Sequence, residues 1–339
     1  GHVLRVGADY RLSSGKIFEE AISTATGAIT ERRSAGGINT DLGLFVEHDW
    51  SRGPFTLTSG LRADRFVIRD GFFTTTSPDG QVHINASFPR RAGWAASMRG
   101  GALIKLDGFW SLRAAAYTGL RLPTLNELYR PFVVFPVTTR ANPTLGNERL
   151  VGVEAGVDYV SLSGTRFAMT AFDNRIRDAI ANVTIGTNLR ERRNIDEIRA
   201  RGVEISASAP IGAIRLDGTL ALTDAQARDA VALALDGKLP AQTPAVSASA
   251  TLAWRSVAGS ELALTLRHIG AQFEDDLEVD RLPPATTLNA FASLPIDRGL
   301  ALVFRAENIT DTRVVTRNAA GSIDLGAPRT LWVGVRIGR

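Results

Sequence analysis

The feature that most constrains this chain is an alternation of apolar and polar residues with a period of two. Between residues 150 and 159, one set of alternate positions is Val151, Val153, Ala155, Val157 and Tyr159, and the other is Gly152, Glu154, Gly156 and Asp158. Successive side chains of a strand point to opposite faces, so this pattern predicts strands between an apolar and a polar environment. The same split recurs in residues 261–267 and 330–337.

The alternation extends over the whole chain. By pattern there are about fourteen such segments, which begin near Val3, Ile38, Phe55, Arg91, Phe109, Leu150, Arg166, Asn194, Ala213, Ala245, Glu261, Thr286, Leu300 and Arg329. Each has at least about the 9–11 residues of a tilted membrane-crossing strand, whereas no stretch reaches the roughly 18 apolar residues of a spanning helix. Mean hydropathy is close to neutral, at +0.01. We predict an all-β fold, an antiparallel up-and-down transmembrane β-barrel.

The connections between these segments alternate in length. Short turns are expected at residues 51–54, 106–108, 161–165, 209–212, 255–260 and 295–299. Long loops are expected at residues 13–37, 70–90, 121–147, 182–193, 223–244, 272–285 and 311–328. Bacterial outer-membrane barrels combine short periplasmic turns with longer external loops. We therefore predict a location in the bacterial outer membrane, in contact with its lipid and lipopolysaccharide.

Aromatic residues gather near the short turns, namely Trp50, Phe55, Phe109, Trp110, Tyr159, Phe167 and Trp254. In a barrel they would ring one membrane interface, where amphipathic rings are favoured. In a soluble all-β domain the same rings would instead cap a dry core near its turns.

Residues typical of enzymatic chemistry are scarce. The chain has no cysteine, and His2, His48, His83 and His268 have no spacing typical of a metal site. No motif for a nucleophilic serine, a phosphate loop or a zinc helix is present. We predict a protein that is not an enzyme, without metal or cofactor. The positive charges behind the net charge of +4 are almost entirely arginine, and no nucleic-acid partner is predicted.

One string is specific enough to indicate a family. Residues 119–129, GLRLPTLNELY, resemble the "FRAPTLNELY" signature of TonB-dependent receptors at Arg121, Pro123, Thr124, Asn126, Glu127 and Tyr129. Further strings resemble later landmarks of that family in the expected order, at residues 142–148, 170–180, 200–205, 307–313 and 326–330. The resemblance covers residues 119–339, and the earlier strands carry no such string.

The resemblance implies a barrel of about 22 strands around an N-terminal plug that couples to the TonB energy complex. Residues 1–339 are then expected to form only the C-terminal part of that barrel, with the plug and the signal peptide absent. It also implies active uptake of a scarce, bulky nutrient, such as a ferric siderophore or a similar small-molecule metal chelate. The alternative is a plug-free passive porin, and a soluble all-β domain is the third possibility.

Two sets of residues are candidates for function. The polar face of the strands carries Arg62, Asp64, Glu154, Asp158, Glu204, Arg267, Arg305, Glu307 and Arg336. By the resemblance these charges would face the plug or line a channel, whereas pairing across neighbouring strands is the structural alternative. The loop after Arg121 carries Tyr129, Arg130, Phe132, Phe135 and Arg140, a combination that could hold an anionic chelate. The alternative is that the signature itself is architectural.

Overall fold

The computed structural model describes residues 1–23 and 25–338, and almost all of it is strand. The first strands are β1 His2–Ile22, β2 Ile29–Arg52, β3 Phe55–Thr76, β4 Val82–Phe88, β5 Arg91–Lys105, β6 Trp110–Arg121, β7 Phe132–Val134, β8 Val137–Arg140, β9 Glu148–Val160, β10 Arg166–Gly186 and β11 Leu189–Ile211. The others are β12 Ile214–Arg228, β13 Val246–Arg255, β14 Glu261–Ile269, β15 Gln272–Phe273, β16 Arg281–Leu282, β17 Ala285–Asp297, β18 Leu300–Glu307, β19 Val315–Ala319, β20 Ser322–Leu325 and β21 Thr330–Ile337.

In residues 1–23 and 25–338, helical structure is limited to two short pieces. The α-helix α1 spans Leu125–Tyr129, and a single 3-10 turn spans Leu233–Leu235. Within the described ranges, neither piece has the length or the apolar character needed to cross a membrane.

Among the described residues, seventeen strands form one sheet, and without the short β4, β7 and β8 the remaining fourteen pair in series. Each of the fourteen is antiparallel to the next one along the chain, from β1 with β2 to β18 with β21. The fourteen predicted segments and the meander topology are therefore confirmed. Over the described residues, β1 pairs only with β2 and β21 only with β18.

The short turns lie where the sequence predicts them. Gly53, Gly212 and Gly299 connect successive long strands with positive φ angles of 56°, 60° and 81°. Glycine adopts this left-handed conformation without the steric cost that a side chain imposes, which permits the tight reversal.

Three of the seven predicted long loops, at residues 13–37, 70–90 and 182–193, are wrong as loops, because the strands continue through most of them. The other four are connections whose strands are only short or partial. β1 and β2 stay paired from Lys16 with Gly36 up to Ile22 with Ile29. β10 and β11 stay paired up to Gly186 with Leu189, where residues 182–193 were expected to be a loop. An antiparallel ribbon satisfies its backbone hydrogen bonds by pairing alone, so it can continue where the two-period apolar pattern has ended.

The register separates two faces of the sheet. Val6, Val46, Leu61 and Met98 form one cross-strand row, whereas Arg5, Glu47, Gly60 and Arg99 form the adjacent row on the opposite side. Leu61 and Met98 are 60% and 58% exposed. We call the apolar side the outward face and the polar side the inward face. Lipid covers the outward face in a membrane barrel.

The aromatic residues at the short turns belong to the outward face. The Trp110 ring lies 4.7 Å from that of Tyr159, and the Phe109 ring lies 6.3 Å from Tyr159, between centroids. This arrangement matches the aromatic girdle expected at a membrane interface.

Fully buried side chains concentrate at the opposite end, where the connections are long. One cluster comprises Ala179, Val183, Ile195, Ala227 and Leu235. The other comprises Ile68, Leu128, Tyr129 and Leu145, and it includes residues of the signature string. The packed core of this chain therefore supports its long connections and not the middle of the barrel.

Candidate functional site in the barrel mouth

The connection between β6 and β9, residues 121–148, folds back against the inward face of the sheet, and we call it the mouth segment. It contains α1 and the β7–β8 hairpin, and α1 packs on β2 and β3. The first residues of β11 pair in parallel with β8, with Leu189 opposite Thr138. The segment thereby joins distant strands at the long-connection end.

The signature string caps its own helix. Thr124 Oγ1 accepts a hydrogen bond from the Glu127 backbone N–H at 3.1 Å, and a Glu127 carboxylate oxygen accepts one from the Thr124 N–H at 2.7 Å. This reciprocal capping box satisfies two backbone donors that a helix start otherwise leaves free. A helix as short as α1 depends on such support.

Two ion pairs fix the base of the mouth segment. Arg121 lies 3.0 Å from a Glu127 oxygen and also pairs with Glu148, so it connects the two ends of the segment. The other Glu148 oxygen accepts a hydrogen bond from the Ile180 N–H at 2.6 Å. Arg121 of the signature string therefore pairs both with Glu127 of the same string and with Glu148, the last residue of the string at 142–148.

Tyr129 is enclosed by the sheet. Its ring stacks on Phe88 at a centroid distance of 4.8 Å, and the residue is only 2% exposed. Gly71 of β3 supplies the space, because a Cβ there would collide with the phenol ring. Burial raises the pKa of the Tyr129 phenol, which keeps it neutral.

Arg192 of β11 holds the end of α1. One of its guanidinium nitrogens, Nη1, donates to the carbonyls of Asn126 and Arg130 at 2.5 and 2.9 Å, and the group lies 5.0 Å from the Phe132 ring centroid. A cation at a helix C-terminus satisfies carbonyls that lack a partner within the helix. Burial lowers the pKa of Arg192, yet a guanidinium stays charged at any physiological pH.

The return of the mouth segment is tied to the same strands. Asn142 donates through Nδ2 to the Arg192 carbonyl at 2.9 Å, and its backbone N–H donates to the Glu127 carbonyl at 3.1 Å. Arg91 of β5 donates to the Leu145 carbonyl at 2.6 Å. These hydrogen bonds hold the mouth segment against β5 and β11, and in this sense we call the segment braced.

The structure separates the residues predicted to contact a ligand. Tyr129 lies inside the packed cluster, and Arg130 pairs with Glu19 of β1, with its Nε 3.1 Å from the carboxylate. Phe135 is 77% exposed at the tip of the β7–β8 hairpin, and Arg140 is exposed at the end of β8. Of the five, Phe135 and Arg140 therefore offer the accessible surface.

The hairpin tip also touches a distant connection. Arg317 of the β19–β20 hairpin donates to the Phe135 carbonyl at 2.6 Å. This contact places Phe135 across the barrel mouth from the strand on which its own segment begins. Sequence reasoning missed Arg317, because no spacing rule connects residues 182 positions apart.

The predicted inward charges all lie on the inward face, and several form local networks. Arg62 lies 2.6 Å from Asp64 and 2.6 Å from Asp9. Arg113, which sequence reasoning missed, lies 3.1 Å from Asp158 and 3.6 Å from Glu154. The alternation signal could have identified Arg113, because it occupies a polar position of β6.

The other inward charges are more scattered. Glu204 and Arg267 line an inward concavity of about 560 Å³ together with Arg113. Arg305 lies 3.8 Å from Glu307, and Arg336 pairs in register with Ala301 near the short turns. Within the residues that the structure describes, no three histidine or acidic side chains are grouped to hold a metal ion.

The family described as "TonB dependent receptor-like, beta-barrel" matches residues 1–309. Because this match covers most of the chain, the protein belongs to the TonB-dependent receptor β-barrel family of the outer membrane. The match includes residues 1–118, where the strand pattern is present without a recognisable motif string.

Curated relatives are similar over a limited region. The iron-regulated outer membrane virulence protein of Vibrio cholerae serotype O1, from two strains, is 28% identical over 189 residues. The aligned region is 51% of this chain and 25% of the relative. The chain thus spans about a quarter of the length of the curated relatives it matches.

Solved structures share the fold along nearly the whole chain. The ferric yersiniabactin uptake receptor FyuA from Yersinia pestis superposes with a TM-score of 0.80 at 13% identity, over 99% of this chain and 51% of that one. The ferric-catecholate import receptor Fiu from Escherichia coli K12 superposes with a TM-score of 0.77 at 17% identity, over 99% of this chain and 52% of that one. The chain therefore has the fold of about half of such a receptor.

Removing the helix cap should loosen the mouth segment moderately. We expect Thr124→Ala to cost about 1 kcal/mol of local stability, because the Glu127 N–H loses its acceptor. Faster amide hydrogen exchange in α1 would report the loss. Thr124→Ser, which keeps the hydroxyl, should retain most of the protection, and equal exchange in all three proteins would contradict the capping role.

Proposed function

We propose that this chain is part of an energised outer-membrane receptor that takes up a scarce, bulky nutrient such as a ferric siderophore. The observation that carries the proposal is the braced mouth segment, which presents Phe135 and Arg140 at the barrel entrance. An exposed aromatic ring and a guanidinium suit a ligand that combines flat rings with negative charge. The family and the iron-regulated relative support this substrate class. The role is transport, and catalysis has no part in it.

Uptake of radioactive iron under iron limitation tests this role. We expect Phe135→Ser combined with Arg140→Gln to lower uptake of ferric siderophore at limiting concentration by about tenfold, through lost contacts at the entrance. Leu162→Ser is a matched control, because Leu162 is 94% exposed at a short turn on the opposite end. Equal uptake by the double variant and the control would contradict a ligand surface at the hairpin.

Energy coupling separates the proposed receptor from a passive porin. We propose that TonB acts through a plug domain encoded upstream, so a protonophore should abolish uptake. The porin alternative predicts protonophore-insensitive uptake that follows the concentration gradient, and that result would overturn the receptor proposal.

The inward charges are proposed to contact this plug. Arg113 would hold the carboxylates of Glu154 and Asp158 toward the interior, where the plug would contact them. The alternative is that these ion pairs only neutralise charge between neighbouring strands. We expect replacement of Glu154 and Asp158 by alanine to reduce energised uptake several-fold while surface binding of the ferric siderophore stays unchanged. Intact uptake by a correctly assembled barrel would remove the plug-contact role.

A further inference from the structure

An unusual concentration of arginine lies on the outward face of β9 to β12, above the apolar band. We call it the arginine patch, and it consists of Arg149, Arg175, Arg177, Arg199, Arg201 and Arg228. In the described part of the sheet, three carboxylates share its rows, those of Asp173, Glu197 and Asp224. The mouth segment and the inward charges do not involve these residues.

The cross-strand register makes the boundary of the patch sharp. Below it, the row of Ala155, Ala171, Val203 and Leu222 is entirely apolar, as is the next row toward the short turns. Above it, Asp173, Arg201 and Asp224 begin the charged rows. The patch thus begins where the outward face stops facing hydrocarbon.

Two pairs within the patch set like charges directly opposite each other. Arg149 is in register with Arg177, and Arg175 is in register with Arg199. Like charges at directly opposed positions destabilise a sheet. Such pairs become favourable when an anion lies between them and accepts hydrogen bonds from both guanidinium groups.

The carboxylates of the patch neutralise only part of it. Arg199 donates to Asp173 with its Nε at 3.0 Å, and Arg175 lies 3.7 Å from the same residue. Within the described part of the chain, no carboxylate lies within 4.0 Å of Arg149, Arg177, Arg201 or Arg228, and all four are exposed. These donors remain available to an external anion.

The neighbouring strands bound the patch. In β6 the outward positions of its rows are Thr118 and Leu120, and the next outward arginines are Arg65 and Arg69 of β3. On the other side, β13, β14 and β17 stop short of the patch, because their outward end positions Val246, His268 and Thr286 lie in the apolar rows below it. The patch therefore has the extent of one bound molecule or a few.

We propose that the arginine patch binds the phosphorylated headgroup of an outer-leaflet lipid, the lipid A part of lipopolysaccharide. Guanidinium forks match phosphate geometry with paired hydrogen bonds. The acyl chains would lie on the apolar rows directly below, including Val203 and Leu222. The inference rests on the outer-membrane location and not on transport of any nutrient.

Binding of purified lipids to the detergent-solubilised protein, produced from its full reading frame and stripped of lipid, tests the proposal. We expect diphosphoryl lipid A to bind, and Arg149→Gln/Arg175→Gln/Arg177→Gln to weaken that binding at least about tenfold. The control Arg52→Gln/Lys105→Gln/Arg298→Gln removes three cations near the short turns and should bind normally. Heat-modifiable gel migration verifies that every variant is folded.

The chemical source of the anion is tested in the same assay. Dephosphorylated lipid A should bind the wild type weakly, and inorganic phosphate at millimolar concentration should compete poorly, because the apolar rows contribute to binding. Equal binding of the dephosphorylated lipid, or an equal loss in the control variant, would overturn the proposal. Full competition by inorganic phosphate would show a site for the free ion and would overturn the lipid assignment.

Thermal unfolding supplies a second, independent readout. Without lipid, the triple variant at the patch should unfold at the same temperature as the wild type or a higher one, because the opposed arginines are gone. Addition of diphosphoryl lipid A should raise the unfolding temperature of the wild type more than that of the variant, since ligand binding stabilises the folded state. The proposal would be contradicted by a variant that unfolds at a lower temperature than the wild type without lipid and whose unfolding temperature rises as much as that of the wild type with lipid.

Discussion

Replacing Tyr129 by alanine is expected to cost the mouth segment about 3–4 kcal/mol of local stability, the largest effect of any single substitution proposed for this region. The ring is fully enclosed and stacked on Phe88, and it fills the space that the absence of a Cβ at Gly71 leaves. The barrel itself should assemble, because its strands pair independently of the segment. Amide exchange of residues 121–148 should become fast, and iron uptake should fall with it.

The matched control is Tyr129→Phe. Burial and the charge of Arg91, and no hydrogen bond within the described residues, act on the Tyr129 hydroxyl, so the ring accounts for the packing. We expect the phenylalanine variant to keep wild-type exchange and uptake. Similar losses in both variants would show that the hydroxyl matters, and wild-type behaviour of Tyr129→Ala would show that the cluster does not hold the segment.

Replacing Arg192 by methionine is expected to cost about 2–3 kcal/mol of local stability. The volume of the stem is kept, but the carbonyls of Asn126 and Arg130 lose their charged donor in a buried place. The result should be a frayed end of α1 and a mobile β7–β8 hairpin. Protease cleavage within residues 130–140 on intact cells would detect it.

Arg193 offers the control on the same strand. It is half-exposed, and among the described residues its ion pair is with Glu191 on the surface, so Arg193→Met should change local stability by less than about 1 kcal/mol. Arg192→Lys should rescue only part of the loss, because a single ammonium cannot reproduce the geometry of the guanidinium. Equal protease sensitivity of the two methionine variants would contradict the assigned role of Arg192.

The two predictions concern one physical arrangement. The mouth segment has little secondary structure of its own. Its order therefore depends on the buried ring of Tyr129, which fits against β3, and on the buried guanidinium of Arg192, which comes from β11. An entrance surface at Phe135 is useful for recognition only if its supporting segment holds one conformation. The braces around Tyr129 and Arg192 therefore connect packing to the proposed ligand surface.

The sequence by itself determined the strands, their faces and their tight turns. Period-two alternation requires only that one face meets lipid and the other meets a polar interior, so residues such as Val153 and Glu154 reveal their sides locally. The capping box is equally local, because Thr124 and Glu127 are three residues apart. The signature string added the family.

Only the tertiary structure decided how the strands extend and what the mouth segment rests on. Beyond the membrane-facing rows, buried apolar residues such as Val183 and Ile195 alternate irregularly with charged ones such as Arg193. The two-period split is lost there, so the paired ribbons of β10 and β11 resemble a loop in sequence. The space for Tyr129 at Gly71, the cation from Arg192 and the contact of Arg317 with Phe135 join residues far apart along the chain. Such contacts depend on strand register and barrel curvature, which no local pattern encodes.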